Sequence, residues 1–258
     1  MVLKHKIMEK ICNYCGEPIY NQVCYNCGYN KIPEFYDSLE DYYFRKPSVV
    51  SYEKVRYKNA IDKIDCYMDI LKDFFIKNEI KSFIDLGCGP NEFVKILKQK
   101  YSGINAIGYD QYLTEKDVKI FDFENEILPI QNKSIDVVLS SHLLEHVEDI
   151  HFILDEAFRI GKKVIIVLPN CINFFSLIKA LLGKKMGNLV GLPLIKPKDR
   201  HKWFFSSNQS DILMGYYASK FNYEYKIIYC AHQRCPKLFT RINPNLFSEE
   251  IFYIFEKR

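Results

Sequence analysis

The sequence is short of the residues that mark several protein classes. Its 258 residues hold only 11 Gly and 10 Pro, too few for a collagen-like, low-complexity or disordered chain. No apolar stretch approaches the ~20 residues needed to cross a bilayer, so no transmembrane segment is expected. Met1–Lys6 runs into polar sequence without the apolar stretch of a secretory signal, and a cytoplasmic location is the expectation. An excess of one charge is missing too. Against 32 Asp and Glu stand 36 Lys and Arg, a net +4, too small by itself to imply nucleic-acid binding. What remains is a globular composition, 48% hydrophobic and 26% charged. Such a length suits one large domain, or a domain plus a small module, and buries a core without cross-links.

Cysteine, by contrast, is plentiful: there are nine. In a reducing compartment disulfides are rare, so the spacing must explain them. Cys12, Cys15, Cys24 and Cys27 form C-x2-C-x8-C-x2-C, and Gly16 and Gly28 each follow a pair. Four thiolates on two tight turns suit a closed tetrahedral zinc site. A redox C-x-x-C would not need the second pair. Residues 1–32 are therefore expected to form a zinc ribbon, folded largely by its metal. Residues 1–35 carry four Lys and three Glu. With the thiolates counted the ribbon is near neutral, which suits docking or structure better than phosphate contact.

Residues 33–50 are aromatic, mixed in charge and bounded by Pro33 and Pro47, and are expected to be an irregular connection. From Tyr52 to Lys77, Val55, Ile61, Ile64, Met68, Leu71 and Phe75 recur at helical spacing and predict one amphipathic helix. Residues 33–80 thus form a linker and N-terminal helix ahead of a domain at 81–258.

That domain begins with strand, glycine-rich turn and helix: Ser82–Leu86, then Gly87-Cys88-Gly89-Pro90-Asn91, then Glu92–Lys100. Glycines admit close backbone approach, and a helix N-terminus favours polar or anionic groups. A second strand, Asn105–Asp110, ends in an acid about 20 residues on, placed to bond ribose hydroxyls. A dinucleotide site would carry a third glycine, where this chain has Asn91.

Asp85-Leu-Gly-Cys-Gly89 resembles motif I of class I S-adenosylmethionine-dependent methyltransferases, and Asp110 matches their ribose-binding acid. Phe121-Asp122-Phe123 is similar to their adenine-contacting segment. Residues 135–149 resemble the fourth strand and following loop of the small-molecule, type 11-like branch, and 163–170 the fifth strand. The resemblance covers about 82–258. It implies a Rossmann-like α/β fold: a seven-stranded, mostly parallel sheet with the last strand antiparallel. Ile251–Lys257 is the candidate for that last strand, and Tyr223–Cys230 for the one before it. The resemblance also implies an S-adenosylmethionine site at Asp85, Gly87, Cys88 (through its backbone), Gly89, Asp110, Asp122, Phe123 and Ser140.

Methyl transfer to a hydroxyl or amine needs alignment and often a base. His142, His146 and His201 are the acceptor-side candidates. Were 142–146 helical, His142, Glu145 and His146 would share a face able to bind a divalent metal, and a Glu-x-x-Glu-His variant does so in some related O-methyltransferases. The alternative is polar packing.

The stretch 171–202 is expected to be a substrate-covering insertion. Phe174, Phe175, Leu177, Ile178, Leu181 and Leu182 mark a helix in it. It is either a lid packed on the core or a surface for a lipid-linked acceptor or shallow membrane contact. From 179 to 202, seven basic residues face Asp199 alone, a local +6 that leaves −2 for the rest. The acceptor is therefore expected to be small and anionic, or glycan- or lipid-linked. RNA is the alternative, with the ribbon docking on it, and a non-catalytic cofactor-binding adaptor is a third reading. The sequence is silent on oligomeric state.

Overall fold

The structure is a computed structural model and describes residues 8–11, 18–20, 46–54, 60–112, 115–184, 201–231 and 235–257. The chain divides into two compact units, Met1–Tyr43 and Phe44–Arg258. In the first, strands β1 (Met8–Ile11) and β2 (Pro18–Tyr20) pair antiparallel. Cys12, Cys15, Cys24 and Cys27 lie outside the described residues, as do 185–200 of the insertion.

The second unit runs β3 (Val49–Lys54), α1 (Ala60–Ile70), α2 (Lys72–Asn78), β4 (Ser82–Leu86), α3 (Glu92–Lys100), β5 (Asn105–Asp110), β6 (Val118–Ile120) and β7 (Ile135–Ser141). It continues with α4 (Ile150–Ile160), β8 (Gly161–Pro169), α5 (Phe174–Leu181), α6 (Ser207–Phe221), β9 (Tyr223–Ala231), α7 (Lys237–Ile242), α8 (Pro244–Phe247) and β10 (Ser248–Lys257). Its sheet has the order β3-β9-β10-β8-β7-β4-β5-β6. β10 runs antiparallel to both neighbours, as expected of the last strand, and the other pairs are parallel.

The sheet has eight strands, not seven. The additional edge strand is β3, which pairs in parallel with β9 from Val49↔Lys226 to Lys54↔Ala231. It replaces the end of the expected irregular connection and the start of the expected helix. Val49, Val50 and Tyr52 suit a pleated edge, and Tyr52 stacks on Tyr229 at 5.8 Å. A short apolar run reads equally well as strand or helix, and its pairing partner lies far along the chain. The helix itself begins at Ala60 and is stepped at Leu71, through which helical hydrogen bonds continue (Leu71 to Tyr67, Phe75 to Leu71).

The central strands are buried on both faces, which is why they read as continuous apolar runs. In β8, Val164, Ile166 and Leu168 join the core under α4 and α6, while Ile165 and Val167 join the one under α1, α2 and α3. β10 divides alike: Ile251, Tyr253 and Phe255 face one side, Phe252 and Ile254 the other. This period-two alternation seats a helical layer on each face. Side chains cap the helices where the sequence changes character. Asp149 accepts from His151 and Phe152 N–H at the start of α4, and Ser206 accepts from Gln209 N–H at α6.

Helix α5 has no fully buried residue; Phe175 and Leu177 are half-buried, while Phe174, Ile178 and Leu181 are exposed.

Candidate cofactor and acceptor site

Strands β4, β7 and β8 are parallel neighbours, so their C-terminal ends open on one edge. There β4 runs into the glycine turn. Gly87 sits at φ +75°, and a Cβ on it would come within 2.9 Å of Leu143. Gly89 sits at φ +51° with nothing within 4 Å of where a Cβ would be, so its outer side is open. Asn91, standing for a third glycine, adopts φ 60° and leads into α3; Asn tolerates this left-handed region better than most residues.

The turn is tied to β5. The N–H groups of Gly87 and Cys88 donate to Tyr109 O at 2.9 and 3.1 Å, and Gly89 N–H donates to Asp110 Oδ2 at 2.8 Å. Gly108 makes the approach possible: a Cβ there would lie 2.2 Å from Asn91 Oδ1 and 2.6 Å from Cys88 Sγ. Its role escaped the sequence reading, because a lone glycine inside a strand does not announce which loop leans on it.

Asp85 is buried at 4% exposure, and burial, with the Asp110 charge second, pushes its carboxyl up to about 8. Asp85 Oδ1, both side-chain polar atoms of Asn91 and Ser140 Oγ are buried without a hydrogen-bond partner. Ser140 lies opposite Leu86 in the β4–β7 register. Buried polar atoms are nearly always satisfied, and orphans gathered around one glycine turn suit a polar ligand. The Cys88 thiol is pushed up, chiefly by burial, and is unreactive. Asp122 is exposed and caps its own turn, accepting from Glu124 N–H and Asn125 Nδ2, each at 2.9 Å. Phe123 lies in the core, edge-on to Phe121 at 5.2 Å.

On the acceptor side, residues 142–146 are not a helix. His142 turns at φ 54° at the end of β7, and residues 144–146 form a turn. The three side chains therefore do not share a helical face. His142 Nδ1 meets Glu145 Oε1 at 3.1 Å, and its Nε2 meets Glu250 Oε1 at 3.2 Å and Tyr67 Oη at 3.0 Å. Tyr67 donates to Glu250 Oε2 at 2.6 Å, and Lys63 pairs with Glu250 at 3.1 Å. Burial opposes protonation of His142, but its hydrogen bonds to Glu145 and Glu250 outweigh this and push it up to about 9. Burial likewise opposes ionisation of Glu250, and its partners, His142 foremost, hold it well below the usual carboxylate range. Glu250 and Tyr67 lie far from His142 in sequence, and no motif pointed to them.

His146 belongs to a different group. Its ring meets His201 edge-on at 4.8 Å between centroids. Residues 202–203 bring His201 there: Lys202 N–H donates to Glu145 O at 2.7 Å, and Trp203 Nε1 to Val147 O at 2.8 Å. Lys202 Nζ adds ion pairs to Glu124 and Glu148 at 3.2 and 3.1 Å. Ligand atoms of Glu145, His146 and His201 all lie within 4.8 Å of one another, and Glu145 Oε2 is buried without a hydrogen-bond partner. Two imidazoles and a carboxylate are a donor set suited to a divalent transition metal.

Comparison with known proteins agrees with this architecture. The family model described as Methyltransferase domain matches residues 57–209. No curated protein matches the sequence significantly. Among solved structures, the plantazolicin methyltransferase BpumL is similar with a TM-score of 0.51 at 13% identity, over 78% of this chain and 87% of that one. The methyltransferase domain of a bacterial Hen1 protein is similar with a TM-score of 0.50 at 15% identity, over 75% and 96%. A SAM-dependent methyltransferase from Archaeoglobus fulgidus aligns with a TM-score of 0.49 at 17% identity, over 75% and 94%. On the family match and the shared fold, the chain belongs to the methyltransferase-domain family and carries an S-adenosylmethionine-dependent methyltransferase fold.

Proposed function

We propose that this chain transfers a methyl group from S-adenosylmethionine to an oxygen or nitrogen of a small anionic or glycan-like acceptor seated beside His146 and His201. The observation that carries this reading is the set of orphaned buried polar atoms on Asp85, Asn91 and Ser140 around the glycine turn. When bound, the cofactor supplies an electrophilic methyl group on a sulfonium. The open side of Gly89 admits its approach, and Asp110 is the acid for its ribose. Asp85 adds a buried carboxyl that gains by ionising next to a cationic ligand. His146 or His201 takes the acceptor's proton, and the excess of basic residues in the sequence from 179 to 202 favours an anionic acceptor. In the same reading Cys12, Cys15, Cys24 and Cys27 hold a structural zinc.

Labelled-methyl transfer into a cell extract, sorted into RNA, protein, lipid and small molecules, tests it. Label is expected in the small-molecule or glycan-bearing fraction, and His201→Ala should lower incorporation about a hundredfold. Label in RNA would replace this acceptor class, and no label at all would leave the adaptor reading. A second reading of the acceptor side is favoured by Glu145, His146 and His201 converging. A divalent metal held there would polarise the acceptor oxygen.

A further inference from the structure

Helix α5 and its neighbour α7 leave unusual side chains in water. In α5, Phe174, Ile178, Leu181 and Leu182 recur at i, i+4, i+7 and i+8 and so share one face. Among the described residues nothing buries that face: Leu181 is 86% exposed and Leu182 63%. In α7, Leu238 and Ile242 are four apart and 62% and 70% exposed. Aromatic contacts join the two helices, Phe174 to Phe247 at 5.6 Å and Phe247 to Phe239 at 5.4 Å. The two apolar faces thus belong to one surface. Scattered apolar residues need no explanation, but a contiguous patch marks an interaction site.

Charge distinguishes the partners. From Cys171 to Lys184 the described residues include Lys179 and Lys184 and not one Asp or Glu. α7 adds Lys237, paired with Glu53 at 2.6 Å, and Arg241, set over the Tyr52 ring. A second copy of the chain would bring these like charges together across a two-fold contact, which is unfavourable. An anionic bilayer meets both requirements: its acyl boundary takes the apolar face and its headgroups take the lysines.

We propose that the α5–α7 surface docks this protein on anionic membranes, with Phe174, Ile178, Leu181 and Leu182 entering the headgroup–acyl boundary. α5 leaves the C-terminal end of β8 after four residues, so docking holds the methyltransferase edge of the sheet next to the lipid surface. The apolar residues Phe174, Ile178, Leu181 and Leu182 are none of the proposed cofactor or acceptor residues, and their binding is measured without any turnover.

The experiment is flotation of the purified full chain with vesicles of phosphatidylcholine alone and of an equal mixture with phosphatidylglycerol. Binding to the mixture only, weakening as salt is raised, is expected. Leu181→Ser/Leu182→Ser should lower partitioning at least about tenfold, since the apolar area that would leave water is lost. Both positions are exposed, so the melting temperature should not move. Absence of binding to the mixed vesicles would overturn the proposal. So would binding that the serine variant retains in full, which would assign it to lysine charge alone. A dimer in solution that the serine variant dissolves, or RNA binding in place of vesicle binding, would overturn it equally.

Discussion

Two acids at the glycine turn illustrate how a short motif acquires its chemistry. Asp110 is engaged by Gly89 N–H and Tyr112 N–H. Asp110→Ala is expected to weaken S-adenosylmethionine binding more than about tenfold, roughly 1.4 kcal/mol, by calorimetry; unchanged affinity would remove the ribose assignment. Asp85 carries a pH signature. Its folded pKa is raised from 3.8 to about 8, so the folded state binds the extra proton. The stability this confers is fully present below pH 3.8 and is lost as pH rises through about 8. Asp85→Asn should therefore melt progressively higher than the parent between those limits, with a constant gap above them. A gap independent of pH would mean that Asp85 does not titrate in this window. The motif residues themselves were legible, because a turn, its glycines and the helix behind it are contiguous. Gly108 was not, since its constraint is imposed by Asn91 and Cys88 across the strand pair.

At the scale of elements, local chemistry predicts starts better than partners. Ser206 and Ser207 are both of a cap-forming type ahead of a helical stretch, and Ser206 is the one whose side chain accepts Gln209 N–H at the start of α6. Asp149 caps α4 through two N–H groups at 2.9 and 3.0 Å. Asp149→Ala should cost about 1 kcal/mol in urea denaturation and leave cofactor affinity unchanged. β3 could not be read as a strand, because its ladder with β9 joins residues far apart in the chain. The same holds for His201. The hydrogen bonds of Lys202 and Trp203 to the 145–147 turn bring it to His146. The apolar stripe of α5 was plain at helical spacing, yet a stripe does not say what it faces. Here it faces outward.

For the molecule as a whole, the division into Met1–Tyr43 and Phe44–Arg258 carries a prediction about folding free energy. The larger unit has a two-sided apolar core; the smaller is too short for one and is expected to depend on its metal. Elemental analysis should find zinc at one per chain in the Cys-rich unit, lost in Cys12→Ser/Cys15→Ser. Metal surviving in that variant and removed by His146→Ala would support the metal-assisted reading of the acceptor side. Zinc unaffected by the cysteine changes would exclude the ribbon as its site. By itself the sequence determined the glycine turn with its two acids, the helical spacing of α3 and α5 and the uneven distribution of charge, each of which rests on near neighbours in the chain or on composition. Its resemblance to a known family implied the motif order and the last strands. Tertiary structure alone decided the eighth strand, the Glu250–His142–Glu145 ion-pair cluster, the meeting of His146 with His201 and the outward face of α5. Those depend on which distant segments touch, and contacts between distant segments are set by how the buried faces close on one another.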